Sequence, residues 1–132
     1  MAEQFELVGC LEAEPGTVVV IAGDDKVRVC DSVYDQRVAG VISGAGGYRP
    51  GIVLDRRRAD NRRALALTGK VWCKVDADPA RIEIGDMLTT SALPGHAMKA
   101  VEPHRSFGSV IGKALQPLVA GQGMIPILIA LQ

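Results

Sequence analysis

The chain has 132 residues and carries 15 Lys and Arg against 15 Asp and Glu, so its formal net charge is zero. That length suits one domain, and the balanced charge argues against a wholesale nucleic-acid or membrane-surface binder, which needs a lasting positive excess. Hydrophobic residues at 48% exclude intrinsic disorder, aromatics at 4% leave little for stacking on bases or sugars, and 15 Gly with 7 Pro leave little room for long helices.

In chain order, Met1 to Leu11 contain Glu3 and Glu6 and lack a basic stretch followed by an apolar one. No signal peptide is expected there, and synthesis in the cytoplasm follows. Phe5 to Leu11 reads as an opening strand or arm within residues 1–14, closed by the turn Glu14-Pro15-Gly16. Thr17 to Ile21 holds five consecutive β-branched residues and reads as a strand buried on both faces. Gly23-Asp24-Asp25 is a hairpin turn into Lys26-Val27-Arg28-Val29-Cys30, whose alternation marks a half-buried strand.

Val38 to Ile42 is a further strand, followed by the glycine-rich Ser43 to Gly47, and Ile52 to Leu54 is a short one after Pro50-Gly51. Residues 55–63 form an Arg-rich loop. Ala64 to Leu67 and Lys70 to Val75 flank Thr68-Gly69. In the second of these, Val71, Cys73 and Val75 share one face, and Lys70, Trp72 and Lys74 share the other. Met87 to Thr90, Val110 to Leu115 and Met124 to Leu131 complete the set. The apolar runs at 17–22 and 125–131 fall far short of the roughly 20 residues of a membrane helix.

About ten short strands predict an all-β fold over residues 1–132 as a single domain, either a compact barrel or a β-clip-like sandwich. Gly9, Gly40 and Gly112 inside strands predict bulges or bends. Pro126 cannot donate to a ladder, which predicts a peripheral last strand available to another subunit. A weak internal echo runs through the chain. Pro15-Gly16-Thr17-Val18-Val19 followed by Val38-Ala39-Gly40-Val41-Ile42 parallels Gly85-Asp86-Met87-Leu88-Thr89 followed by Val110-Ile111-Gly112. Each half reads as turn, entry strand, hairpin, and a Val/Ile-Gly strand, the pattern of a duplicated β unit or of chance.

Residues with chemical potential are better explained by structure. Asp86, Ser91 and His96 suggest a nucleophile triad, but no Gly-x-Ser-x-Gly elbow is present. His104 reads as a loop residue. Asp24, Asp25, Asp31 and Asp35 match no calcium-loop spacing. Gly44 to Gly47 lacks the Lys-Ser/Thr of a phosphate loop. Three cysteines with no Cys-x-x-Cys pair, and only two His, argue against zinc. They read as small apolar strand residues in a reducing compartment. No catalytic residue, cofactor or metal is expected.

The stretch Ile84-Gly85-Asp86-Met87-Leu88-Thr89-Thr90-Ser91, with Pro94-Gly95-His96-Ala97-Met98-Lys99-Ala100 and Val110 to Leu115, resembles a domain near the C-terminus of phage-tail-fibre-like and related bacterial surface proteins. Val38 to Ser43 and Ala64 to Val71 fit the same pattern. The Gly-Asp-x-Leu-Thr element also resembles β-clip domains and the trimeric phage head-decoration proteins. The resemblance implies a compact β fold and a homotrimer, with the chain itself and other phage or surface assembly proteins as partners.

The function expected is a non-enzymatic structural module that self-associates in a phage-related or fibre-like assembly. Trp72 points away from the apolar face of its strand and fits an interface anchor or, equally, the cap of a second core layer as in a sandwich. Arg56, Arg57, Arg58, Arg62 and Arg63 place five Arg in eight positions, while residues 1–35 carry two basic against eight acidic residues. That asymmetry suits pairing between the Arg loop and the acidic third of a neighbour. Pro126 marks the third interface candidate. The alternative is a binding module that holds an anionic or carbohydrate ligand through Arg56–Arg63 or Gly44–Gly47. A small hydrolase built on Ser91 and His96 is the remaining class.

Overall fold

Ten strands and one helical turn are present in the computed structural model among the residues it describes, which are 2–9, 12–44 and 61–132. They are β1 (Ala2–Leu7), β2 (Val18–Gly23), β3 (Lys26–Val29), β4 (Val38–Ile42), β5 (Arg62–Ala66), β6 (Gly69–Asp76), β7 (Met87–Thr90), β8 (Ala97–Lys99), α1 (Pro103–Ser106), β9 (Val110–Ala114) and β10 (Gln122–Ile129). The strands close into two five-stranded barrels, β1-β3-β2-β4-β5 and β10-β6-β8-β7-β9. The all-β barrel expectation therefore holds, with the strands divided between two rings. The predicted strand at Ile52 to Leu54 lies outside the described residues, as do Cys10, residues 45–47, Arg56, Arg57 and Arg58.

The two rings are built to one plan. In each, the first strand runs parallel to the third, β1 with β3 and β6 with β8, and the remaining neighbours are antiparallel. The registers match residue for residue. Leu7 pairs with Val27 as Val75 pairs with Ala97. Val19 pairs with Gly40 as Leu88 pairs with Gly112, and the next pairs are Val20 with Val38 and Thr89 with Val110. One bulge separates these two pairs in each ring. Ala66 pairs with Val41 as Leu128 pairs with Lys113. The echo in the sequence is thus a repeated structural unit, and its two Val/Ile-Gly strands occupy equivalent places.

Strand alternation then fixes the interiors. The first barrel encloses Leu7, Val19, Val27, Ile42 and Leu65. The equivalent residues Val75, Leu88, Ala97, Ala114 and Ile127 are buried in the second. Val18, Val20, Val38, Val41 and Ala66 face outward from the first barrel, yet they belong to the same apolar cluster as the second barrel's core. The two rings are therefore fused through one outward face of the first.

Backbone hydrogen bonds and one turn make the joint. The Lys74 N–H donates to Gly16 O at 2.9 Å, the Val18 N–H to Gly95 O at 2.9 Å, and the Gly95 N–H to Cys30 O at 2.9 Å. Gly95 has φ +76, and a Cβ there would lie 2.9 Å from Thr17 Cγ2. Only glycine fits the turn this closely to the first barrel. Lys74 Nζ also pairs with Glu14 at 3.2 Å.

Three expectations are corrected. β10 is not peripheral: it pairs with β6 along Gln122 to Ile129 and with β9 from Ile127. Pro126 sits where the β9 ladder ends, and its carbonyl accepts the Leu115 N–H at 3.0 Å. The donor that proline lacks would face Leu115, just past the last β9 pair, so the loss is confined to the end of that ladder. Arg62 and Arg63 belong to β5 and not to a loop, paired with Glu6 and Phe5. Gly9 lies beyond the end of β1 with φ +83, outside any strand. The single turn α1 begins on Pro103, which suits the first position of a helix.

Candidate assembly surface

The outward face of the second barrel is assembled from alternate residues of four strands. Cys73 and Val71 point in and are buried, so Trp72 and Lys70 point out. Trp72 lies opposite Pro126, and Lys74 opposite Met124. One row crosses the sheet: Lys70 pairs with Leu128, Leu128 with Lys113, and Lys113 with Met87. Trp72 is 38% exposed, Met87 41% and Leu128 45%, with Met124 comparable. Ile84, just before β7, is exposed as well. Large apolar side chains exposed together on one sheet face mark an interaction surface, whereas single ones are ordinary. Their neighbours Lys70 and Lys113 are exposed, which keeps the face wettable while unpartnered.

The outward Trp72 expected from strand alternation is therefore found, and Pro126 shares its face. Pro126 itself is buried. The Arg segment is placed only in part. Arg62 Nη1 pairs with Asp25 at 2.9 Å and Arg62 Nη2 donates to Gln4 O at 3.0 Å. Within one chain, Arg62 of β5 thus reaches past β1 to Asp25 in the β2–β3 turn. Sequence reasoning missed Met87, Met124 and Leu128 as members of the surface. Met87 and Leu128 meet only across Lys113 of β9, and Met124 lies opposite Lys74 of β6, so only the register places them in one patch.

The residues weighed for chemistry are occupied by local structure. Ser91 Oγ accepts the Leu93 N–H at 3.0 Å, His96 Nδ1 lies 2.9 Å from Pro94 O, and Asp86 accepts the Glu83 N–H at 2.8 Å. Asp86 also pairs with Lys99 at 3.4 Å. These are turn-closing bonds, and no side-chain bond links the three. The acidic residues are spread over separate pairs: Asp25 with Arg62, Asp31 with Arg28, and Asp35 with Arg37. Among the described residues no group of three or more His, Cys, Asp or Glu is placed to hold a metal ion. No helix among them is long and apolar enough to cross a membrane.

Cys30 and Cys73 are buried free thiols near the joint, and Cys30 Sγ lies 3.5 Å from His96 O. Burial pushes the Cys30 thiol up from 9.0 to about 11, with the nearby Asp31 and Asp35 charges adding, against opposing backbone hydrogen bonds from Gly95 and Ser91. Burial pushes Cys73 further still. Neither is nucleophilic at neutral pH. In native protein at pH 8, both are expected to resist iodoacetamide and to react once denaturant is added, as peptide mapping would show. The raised thiol values also set a pH dependence. Their contribution to stability is complete below about pH 9, where unfolded thiols stay protonated. It is lost as pH rises through about 11, because the unfolded chain ionises first. The urea midpoint should therefore fall between pH 8 and pH 10.5.

No protein-family model and no curated protein matches the chain. Among solved structures it is similar to the head fibre gp8.5 N base of bacteriophage phi29. The likeness spans 98% of this chain and 93% of the other, with a TM-score of 0.53 and 16% sequence identity. The fold is therefore one that a phage structural protein also uses. The sequence pattern pointed to tail-fibre-like proteins, and the structural likeness is to a head fibre.

Proposed function

We propose that this chain is a non-enzymatic structural module that self-associates, as a homotrimer, within a phage-like particle or fibre. The observation that carries this reading is the exposed face of the second barrel, where Trp72, Met87, Met124 and Leu128 stand together. A face of this kind is stabilised when a copy of the chain removes it from water, at about 25 cal/mol per Å² of apolar surface. The likeness to a phage head fibre supports the setting. The Gly-Asp-x-Leu-Thr resemblance to trimeric head-decoration proteins supports the number of copies. The work of such a module is cohesion, and association also raises its resistance to unfolding by mass action.

Light scattering of the native protein tests the reading. A mass near three times 14.0 kDa is expected, and Trp72→Ala should lower it at a given concentration by weakening association about tenfold or more. An unchanged assembly in the variant removes Trp72 from the interface. A wild-type protein that stays monomeric at tens of micromolar overturns the reading as a whole.

A further inference from the structure

The repeated plan of the two barrels identifies which part of one copy meets which part of the next. In the first barrel, the row Ala66, Val41 and Val18 is buried by the second barrel. The equivalent row in the second barrel is Leu128, Lys113 and Met87, and it is open. The turn before it follows suit. Gly16 is buried and its carbonyl accepts from Lys74, while the equivalent Gly85 is exposed beside the exposed Ile84. One barrel face is covered within the chain, and its counterpart is left uncovered.

The covering element has an unused counterpart too. Besides β6 at Lys74 and β9 against β4, the second barrel reaches the first with the end of β7 and the segment after it, through Thr90, whose Oγ1 accepts the Asp35 N–H at 2.8 Å, and through Gly95. The equivalent segment of the first barrel is the β2–β3 hairpin. Its residues Ile21 to Lys26 are all exposed, Ile21 at 47%. The hairpin tip carries the exposed Asp24 beside Asp25, which pairs with Arg62, and Lys26, while the open row carries Lys113 with Lys70 beside it, so Asp24 is the carboxylate placed to meet a lysine of that row.

We propose that the open Met87–Lys113–Leu128 face of one copy is covered by the β2–β3 hairpin of a second copy. The contact continues between chains the barrel-on-barrel packing found within the chain. It is head-to-tail: the two surfaces are different, so each copy offers one of each and the association extends until it closes into a ring or grows as a filament. This inference rests on the self-association proposed above and adds its geometry.

Two variants separate the surfaces. Met87→Asp with Leu128→Asp disables the face, and Ile21→Asp disables the hairpin; all three positions are exposed, and Trp72 fluorescence with thermal melting checks that both variants fold. Each variant alone is expected to run as a 14.0 kDa monomer. Mixed in equal amounts, they should form a dimer of twice that mass and nothing larger, because one intact face remains for one intact hairpin. Monomeric variants that fail to complement each other overturn the head-to-tail contact. A wild-type oligomer that survives all three substitutions assigns the face to some other partner, overturning this inference while the self-association stands. A monomeric wild type overturns both.

Discussion

Replacing Gly112 by alanine is expected to cost about 3 kcal/mol or more, enough to lower the melting temperature by about 10 °C or more. The cause is backbone against backbone. β9 passes so close to β10 that a Cβ at 112 would overlap the Leu128 carbonyl oxygen and lie 2.9 Å from Ile129 Cα. Neither atom can rotate away as a side-chain tip could. Gly40 is the equivalent position in the first barrel, and a Cβ there would sit 2.6 Å from Ala66 O. Gly40→Ala should therefore destabilise for the same reason and to a similar degree. Gly23→Ala supplies the contrast. Its nearest neighbours are Lys26 side-chain atoms at 3.6 Å, and a change within about 0.5 kcal/mol is expected. Denaturant midpoints of the three variants check the set. Equal stability of all three would mean that the strand crossing is looser than described.

The second large effect is expected at the joint between the barrels. Thr90 is buried, and its hydroxyl does two jobs: Oγ1 accepts the Asp35 N–H at 2.8 Å and donates to Ser32 O at 2.7 Å. Thr90→Val keeps the shape and removes both bonds. Two part-buried backbone groups then lose this partner, and each costs less than the roughly 1–3 kcal/mol of a fully buried one, so a loss of about 1–3 kcal/mol in all is expected. Thr90→Ser keeps the hydroxyl and should recover most of it. Hydrogen exchange distinguishes this from a general weakening. The Asp35 amide should lose protection in the valine variant out of proportion to the amides of β10. Uniform loss across both barrels would place Thr90 in the global core and not in the joint.

Much of this architecture is legible in the sequence because its signals are local. The β-branched run at Val18–Ile21 and the alternating Lys26–Val29, with Gly23-Asp24-Asp25 between them, specify a hairpin without help from elsewhere. Trp72 between Val71 and Cys73 shows its outward direction by alternation alone. The repeat was visible through Gly40 and Gly112, because a bulge next to a close strand crossing admits only glycine. What stayed hidden is non-local. The pairing of β1 with β5 and of β6 with β10 closes each ring over long stretches of chain, and no local pattern encodes a closure.

The parallel pairs β1–β3 and β6–β8 are hidden for the same reason. Pro126 misled because composition records a missing donor but not the direction in which it is missing. Arg62 and Arg63 misled because charge reads as loop. In β5 the guanidinium of Arg62 instead reaches Asp25 and Gln4 O from the edge of a strand. The exposed apolar face was half legible: Trp72 could be read directly, whereas Met87 and Leu128 joined it only once Lys113 had paired with both.

Some of the bonds that fasten one ring to the other run between main-chain atoms, joining Lys74 to Gly16 and Gly95 to Val18 and Cys30. Those bonds are indifferent to side-chain identity, whereas the bonds of the Thr90 and Tyr34 hydroxyls are not. Mutational drift can rewrite many side chains around the joint while the relative placement of the two halves persists, so long as position 95 remains glycine and those hydroxyls are kept.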